Sequence, residues 1–190
     1  MEKLAGMPSL YRLTFAVAVA NRQLASYERY AEVRPELPRG RPRQIIADLF
    51  RTIDSGNLSG DGWPEVLDEV MNLIPEEDPT YAGFLDLMAQ HGLSSLAYAI
   101  RYLLSEDPKE SAWAGLCEYE AADQAAIKIL KIDLGMPEAE TKIMLHKFVQ
   151  QVLHAQNDDL NLLEEGKIMD VLKRSEKNPT FSEQELCTFA

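Results

Sequence analysis

Leu10, Leu13, Val17, Ala20, Leu24, Tyr27 and Ala31 recur at alternating steps of three and four residues. That spacing lines one face of an α-helix, whereas a half-buried strand would need apolar residues at every second position. Nowhere does the chain sustain a period of two between hairpin-type turn residues. The sequence therefore predicts an all-α fold: a single-domain multi-helix bundle of about six main helices plus short C-terminal helical pieces. Its 190 residues suit one domain with one core.

Proline and glycine mark the boundaries. A first helix from about Pro8 to Val33 must stop before "RPELPRGRP", where three prolines and a glycine forbid continuation. A second covers about Arg43 to Asp54. After the breaker "SGNLSGDGW", Pro64 opens a third helix reaching Ile74. "PEEDPTY" interrupts again, with Thr80 placed as N-cap of a fourth helix from about Tyr81 to Ser105.

In "DPKE", Asp107 can cap, Pro108 takes the first helical position and Glu110 follows three residues after the cap. This fifth helix is expected to reach Asp133 or Leu134, ended by Gly135. A sixth starts at Pro137 and runs to about Glu165. The amphipathic piece "KIMDVLKR" and a capped turn at Ser182 and Glu185 complete the chain. The core is expected over about 8–165, with a peripheral segment over about 166–190. Alanine and glycine crowd the predicted helices at Ala16, Ala18, Ala20, Gly92, Ala97, Ala99, Ala112, Ala114, Ala121, Ala122, Ala125 and Ala126, which read as seams of close helix approach. Apolar residues surround the fifth helix on almost every side, as expected of a central member.

The net charge of −12 repels phosphate backbones and anionic lipid heads, so neither nucleic acid nor membrane is an expected partner. Charge is uneven. Residues 1–51 hold nine Lys and Arg against five Asp and Glu, net +4, and residues 52–190 hold ten against 26, net −16. Cys117 and Cys187 stand 70 residues apart without disulfide-scaffold or Cys-x-x-Cys spacing, which fits a reducing, cytoplasmic setting. The run "LTFAVAVA" at 13–20 has a signal-peptide look, but its helical stripe continues through the would-be cleavage point. No apolar stretch approaches the roughly 20 residues that span a bilayer.

Three carboxylates, Glu118, Glu120 and Asp123, lie among the alanines of the fifth helix. On a helical wheel Asp123 falls inside the bulky stripe of Leu116, Tyr119, Ile127, Leu130 and Leu134, Glu120 at its edge, and Glu118 on the alanine side. Buried in that stripe, Asp123 needs a partner. Gln156 and Asp159 occupy the apolar arc of the sixth helix, so Asp123, Gln156 and Asp159 are the expected buried polar cluster. His91, Ser95, Tyr98 and Tyr102 share one side of the fourth helix and form a candidate interface or pocket stripe. Arg34, Arg39, Arg41 and Arg43 form a candidate anion site, or pair with nearby Glu and Asp.

His146 and His154 step along the polar face of the sixth helix with Gln150 and Asp158, too divergent to share one ion. A di-metal bundle site would require Glu-x-x-His, which is missing from the chain. No Ser/His/Asp or Cys/His pairing, phosphate-binding glycine loop or dinucleotide fingerprint is present. The expectation is thus no catalytic residue, no metal and no cofactor.

The segments "LTFAVAVANRQLASYERYAEV", "RQIIADLFRTID" and "YAGFLDLMAQHGLSSLAYAIRYLL" resemble successive helices of the bacterial YjaG-like family, a group with a domain of unknown function. Thr14, Phe15, Arg22, Tyr27 and Tyr30 match its first pattern, and Tyr81, Ala89, Leu93, Ser94 and Leu96 its later one. Where that pattern has Pro-Ala-x-Asp, this chain reads Leu85, Asp86, Leu87 and Met88. The resemblance implies a compact all-helical cytosolic protein and supplies no activity. The leading expectation is a non-enzymatic interaction or structural module acting as a homodimer. Two alternatives stand beside it: a carboxylate-dependent metal binder or enzyme centred on Asp123 and Asp159, and an anion-responsive regulator using the Arg34 to Arg43 loop.

Overall fold

The computed structural model describes residues 2–75 and 83–189. Those residues form α1 (Glu2–Ala5), α2 (Ser9–Val33), α3 (Arg41–Ser55), α4 (Trp63–Leu73), α5 (Phe84–Ser105), α6 (Pro108–Leu130), α7 (Ala139–Met144), α8 (Lys147–Glu164), α9 (Ile168–Lys177) and α10 (Glu183–Cys187), with no strand among them. The all-α multi-helix fold is as the periodicity requires. Thr80 and Tyr81, the predicted start of the fourth helix, lie outside the described residues; α5 is capped at Gly83, whose backbone N–H donates to Asp86.

Local capping explains most boundaries. Asp107 accepts from the Lys109 backbone N–H at 3.0 Å and Pro108 fills the first helical position of α6, as the sequence predicts. Ser182 and Glu185 satisfy each other's backbone N–H groups at the start of α10. α3 ends at Gly56, whose φ of 66° is the left-handed turn that glycine adopts without steric cost. α6 stops at Leu130 and not at Asp133, because Lys131 takes the left-handed cap at φ 49°.

The predicted sixth helix is two helices. His146 leaves the helical conformation, and its Nδ1 accepts the Phe148 N–H at 3.3 Å to cap α8.

α2 is the central helix, touching α3, α5, α6, α8, α9 and α10. The sequence had pointed to the fifth helix instead. From Leu13 to Ala20 every α2 residue is buried, because small side chains at Ala16, Ala18 and Ala20 let neighbours close in on all sides. At Gly92 of α5 an added Cβ would lie 3.0 Å from the Gln23 carbonyl oxygen, so the backbones of α2 and α5 nearly touch there. Gln23 then donates to Ser95 at 2.5 Å, and Ser95 to the Ala114 carbonyl of α6 at 3.1 Å. One polar thread ties the three helices.

The segment after Gly166 is not peripheral. Val171, Leu172, Phe181, Leu186 and Phe189 are buried in the same core. Phe181 packs edge-on against Phe148 with ring centroids 5.2 Å apart and against Phe189 at 5.3 Å, while Phe189 meets Phe84 of α5 at 5.0 Å. Hydrophobic periodicity over so short a piece gave little weight to this aromatic anchoring.

Candidate functional site

The unusual feature of the interior is a cluster of three charges. Arg22 of α2, Glu118 of α6 and Asp159 of α8 are 3%, 0% and 1% exposed. Arg22 donates from Nε and Nη2 to the two oxygens of Glu118 at 2.7 and 2.9 Å, and from Nη1 to Asp159 Oδ2. Gln156 of α8 bridges the Gly115 carbonyl at 2.9 Å and Glu118 Oε2 at 3.0 Å, and Thr180 adds a donor to Glu118 Oε1 at 2.9 Å. Gly115 is where α6 makes room, since a Cβ there would sit 3.2 Å from the Phe15 ring.

Two carboxylates share one guanidinium, so the cluster holds a surplus negative charge. Burial by itself pulls the Arg22 pKa down, but Glu118 and then Asp159 outweigh it and the net shift is upward. Burial pushes the Asp159 carboxyl above its ordinary range, against the pull of Arg22. Its Oδ1 has no hydrogen-bond partner among the described residues, whereas Glu118 is fully partnered. Asp159 is the member of the cluster suited to carry a proton.

Outside this cluster opens a hollow of about 500 Å³ that reaches Arg22 and Glu118 and is lined by His154, Asp158, Arg174 and Thr180 among others. Asp158 is held by Arg174 at 2.9 Å and not by His154. The lining mixes both charge signs and offers hydroxyl, amide and imidazole groups. One hydroxyl in its lining, Ser182 Oγ, donates to Glu185 at 2.9 Å as part of the cap of α10.

The expected polar cluster is thus partly relocated. Gln156 and Asp159 come together, but with Glu118 and Arg22 in place of Asp123. Asp123 is half-buried, makes no hydrogen bond among the described residues, and has its carboxyl pushed up by desolvation. The reason is that α6 packs in reverse of the wheel's implication: Ala114, Ala121, Ala122, Ala125 and Ala126 are buried with Glu118, while Leu116 is 43% and Leu134 66% exposed. Arg22 was matched only as part of a family pattern. An arginine inside the otherwise apolar "AVAVANRQLAS" was the available signal, since a buried cation requires an anionic partner.

The His91, Ser95, Tyr98 and Tyr102 stripe meets neighbouring helices of its own chain. Ser95 and Tyr102 are fully buried, the Tyr102 hydroxyl lies 2.9 Å from Ser9 Oγ, and Tyr98 stacks near Trp113 at 5.6 Å. His91 approaches Cys117 and Glu120 of α6, one ligand-type atom from each lying within 4.8 Å of the others. Burial lowers the His91 pKa to about 4 and raises the Cys117 thiol to about 12, so the imidazole is neutral and the thiol a poor nucleophile.

Three of the four arginines of the candidate anion site face carboxylates of their own chain. Arg41 grips Glu69 with two bonds at 2.7 and 2.6 Å, and Arg43 grips Glu28 at 2.7 and 2.5 Å. Arg34 lies 3.6 Å from Asp86, and Arg39 donates to the Glu32 carbonyl at 3.2 Å.

On the outside of α6, Trp113, Leu116 and Leu130 are exposed on the same side as the half-buried Tyr119 and Ile127, and Leu134 and Met136, past the helix end, are exposed as well. A hollow of about 460 Å³ opens beside it between Leu130 and Lys142. No helix among the described residues is long and apolar enough to cross a membrane.

No family model and no curated protein matches the chain. Among solved structures, the chain is similar to the crystal structure of a DUF416 family protein from Shewanella baltica OS155, with a TM-score of 0.82 and 14% identity over 93% of this chain and 92% of that one. The likeness shows the fold: an all-helical architecture shared with a member of a family designated by unknown function, as the sequence resemblance implied.

Proposed function

We propose that this protein is a non-enzymatic interaction module of the bacterial cytoplasm, related to the YjaG-like family, that works as a homodimer through the outward face of α6. One observation carries the reading. The bulkiest apolar residues of α6 face solvent while its alanines face the core. Folding would gain about 25 cal/mol per Å² by burying those bulky side chains, and exposed apolar side chains grouped on one helix face, here on either side of Asp123, mark an interaction site. A second copy supplies a matching row, since a two-fold contact uses the same patch twice. The test is mass by light scattering at micromolar concentration. Twice 21.4 kDa is expected, reverting to the monomer mass in Leu130→Glu combined with Leu134→Glu; a wild-type monomer would sink the reading.

A second reading is favoured by the hollow over Arg22 and Glu118. Its mixed lining suits a small polar ligand carrying both charge signs. It also moves the carboxylate-centred alternative from Asp123 and Asp159 to Glu118 and Asp159. A thermal-shift panel of amino acids and related zwitterions tests it, and the absence of any shift counts against it.

A further inference from the structure

We propose that His91, Cys117 and Glu120 form a zinc-binding site between α5 and α6. Cys117 and Glu120 stand three residues apart on α6, one above the other on the same side. His91 faces them from α5. The register that sets it there is fixed one turn away, where Ser95, four residues after His91, donates to the carbonyl of Ala114, three before Cys117. The ligand atoms already lie within 4.8 Å of one another.

The imidazole is held without a protein partner. Its Nε2 is buried and makes no hydrogen bond, and its Nδ1 is 3.9 Å from Glu120 Oε2, beyond hydrogen-bond reach. Nδ1, the nitrogen that faces Glu120, has no hydrogen bond among the described residues and is available to coordinate.

One nitrogen, one sulfur and one carboxylate oxygen are the donor types that Zn²⁺ takes tetrahedrally at about 2.0–2.3 Å, which puts donors roughly 3.3–3.8 Å apart. Closing from the present spacing needs about 1 Å of side-chain movement, and Glu120, half exposed at the helix surface, supplies it. Mg²⁺ and Ca²⁺ prefer all-oxygen sets, so the thiol selects against them. On binding, the zinc–sulfur bond replaces the S–H bond and the proton leaves to solvent. Three protein ligands leave a fourth position for water on the Glu120 side. The site requires no second subunit and is independent of the homodimer reading.

The test uses the full chain carrying Cys187→Ser, which removes the exposed thiol, freed of metal and titrated with Co²⁺ and then Zn²⁺. The expected result is a thiolate-to-cobalt charge-transfer band saturating at one equivalent, displaced by zinc and abolished by Cys117→Ser. Glu120→Gln changes only a surface position, and it should weaken cobalt binding by more than about 10-fold, at least what loss of an outer-shell partner costs. No band in the parent, a band undiminished in Cys117→Ser, or parental affinity in Glu120→Gln each overturns the proposal.

Discussion

Arg22 and Glu118 form a two-point ion pair, Nε to Oε1 at 2.7 Å and Nη2 to Oε2 at 2.9 Å, between the central helix and α6, with both side chains buried at the floor of the hollow. Paired guanidinium and carboxylate offset each other's desolvation only while both are present.

Arg22→Met leaves Glu118 and Asp159 buried without a cation. Stability should fall by about 3–5 kcal/mol in urea unfolding. Replacing all three, as Arg22→Met with Glu118→Leu and Asp159→Leu, should recover most of that loss, because no unpaired charge remains. A triple variant as unstable as the single one would show that the cluster's contribution is not electrostatic.

Asp159 supplies a pH dependence. Its folded pKa is raised above the unfolded value, so the folded state binds the extra proton. The stabilising contribution is full below the unfolded pKa and is lost as pH rises through the folded one. Asp159→Asn removes this slope, so the stability of the variant relative to wild type should climb as pH is raised through that window. Glu118→Gln, which breaks the fully partnered carboxylate, should be the more damaging substitution at neutral pH. Unfolding curves measured across an acid-to-neutral series decide both points.

Gly92→Ala pushes a methyl group to 3.0 Å from the Gln23 carbonyl oxygen, a backbone atom that cannot swing aside. Overpacking of this kind costs about 1–3 kcal/mol. A lowered thermal midpoint is expected even though alanine favours helix; a raised midpoint would mean that α2 and α5 separate easily.

Phe181→Ala tests whether the C-terminal segment belongs to the core. Phe181 joins Phe148 of α8 to Phe189, and truncating a buried phenylalanine costs about 3–5 kcal/mol. Loss below about 1 kcal/mol would make the segment an accessory.

Arg43→Ala removes a pair with Glu28 that lies largely in solvent. Such pairs contribute less than about 1 kcal/mol, so denaturation midpoints at low and high salt should differ little from those of the parent.

Helix content was legible in the chain because it is local. The three-and-four spacing of Leu10 to Ala31, the prolines at 35, 38 and 42, and the Asp107 and Ser182 caps each act within a turn or two of themselves. The sequence by itself therefore determined an all-α chain and most of its helix ends. Which face of α6 turns inward was decided only by tertiary packing. Leu116 and Leu130 would have buried more area per residue, but Ala121, Ala122, Ala125 and Ala126 allow closer approach to neighbouring helices, and close approach governed the choice. With that rotation Glu118 met Arg22 and Asp123 was left near the surface. A wheel drawn for one helix holds no information about its neighbour's shape, and ion pairs 96 and 137 residues apart in sequence exist only once that shape is set.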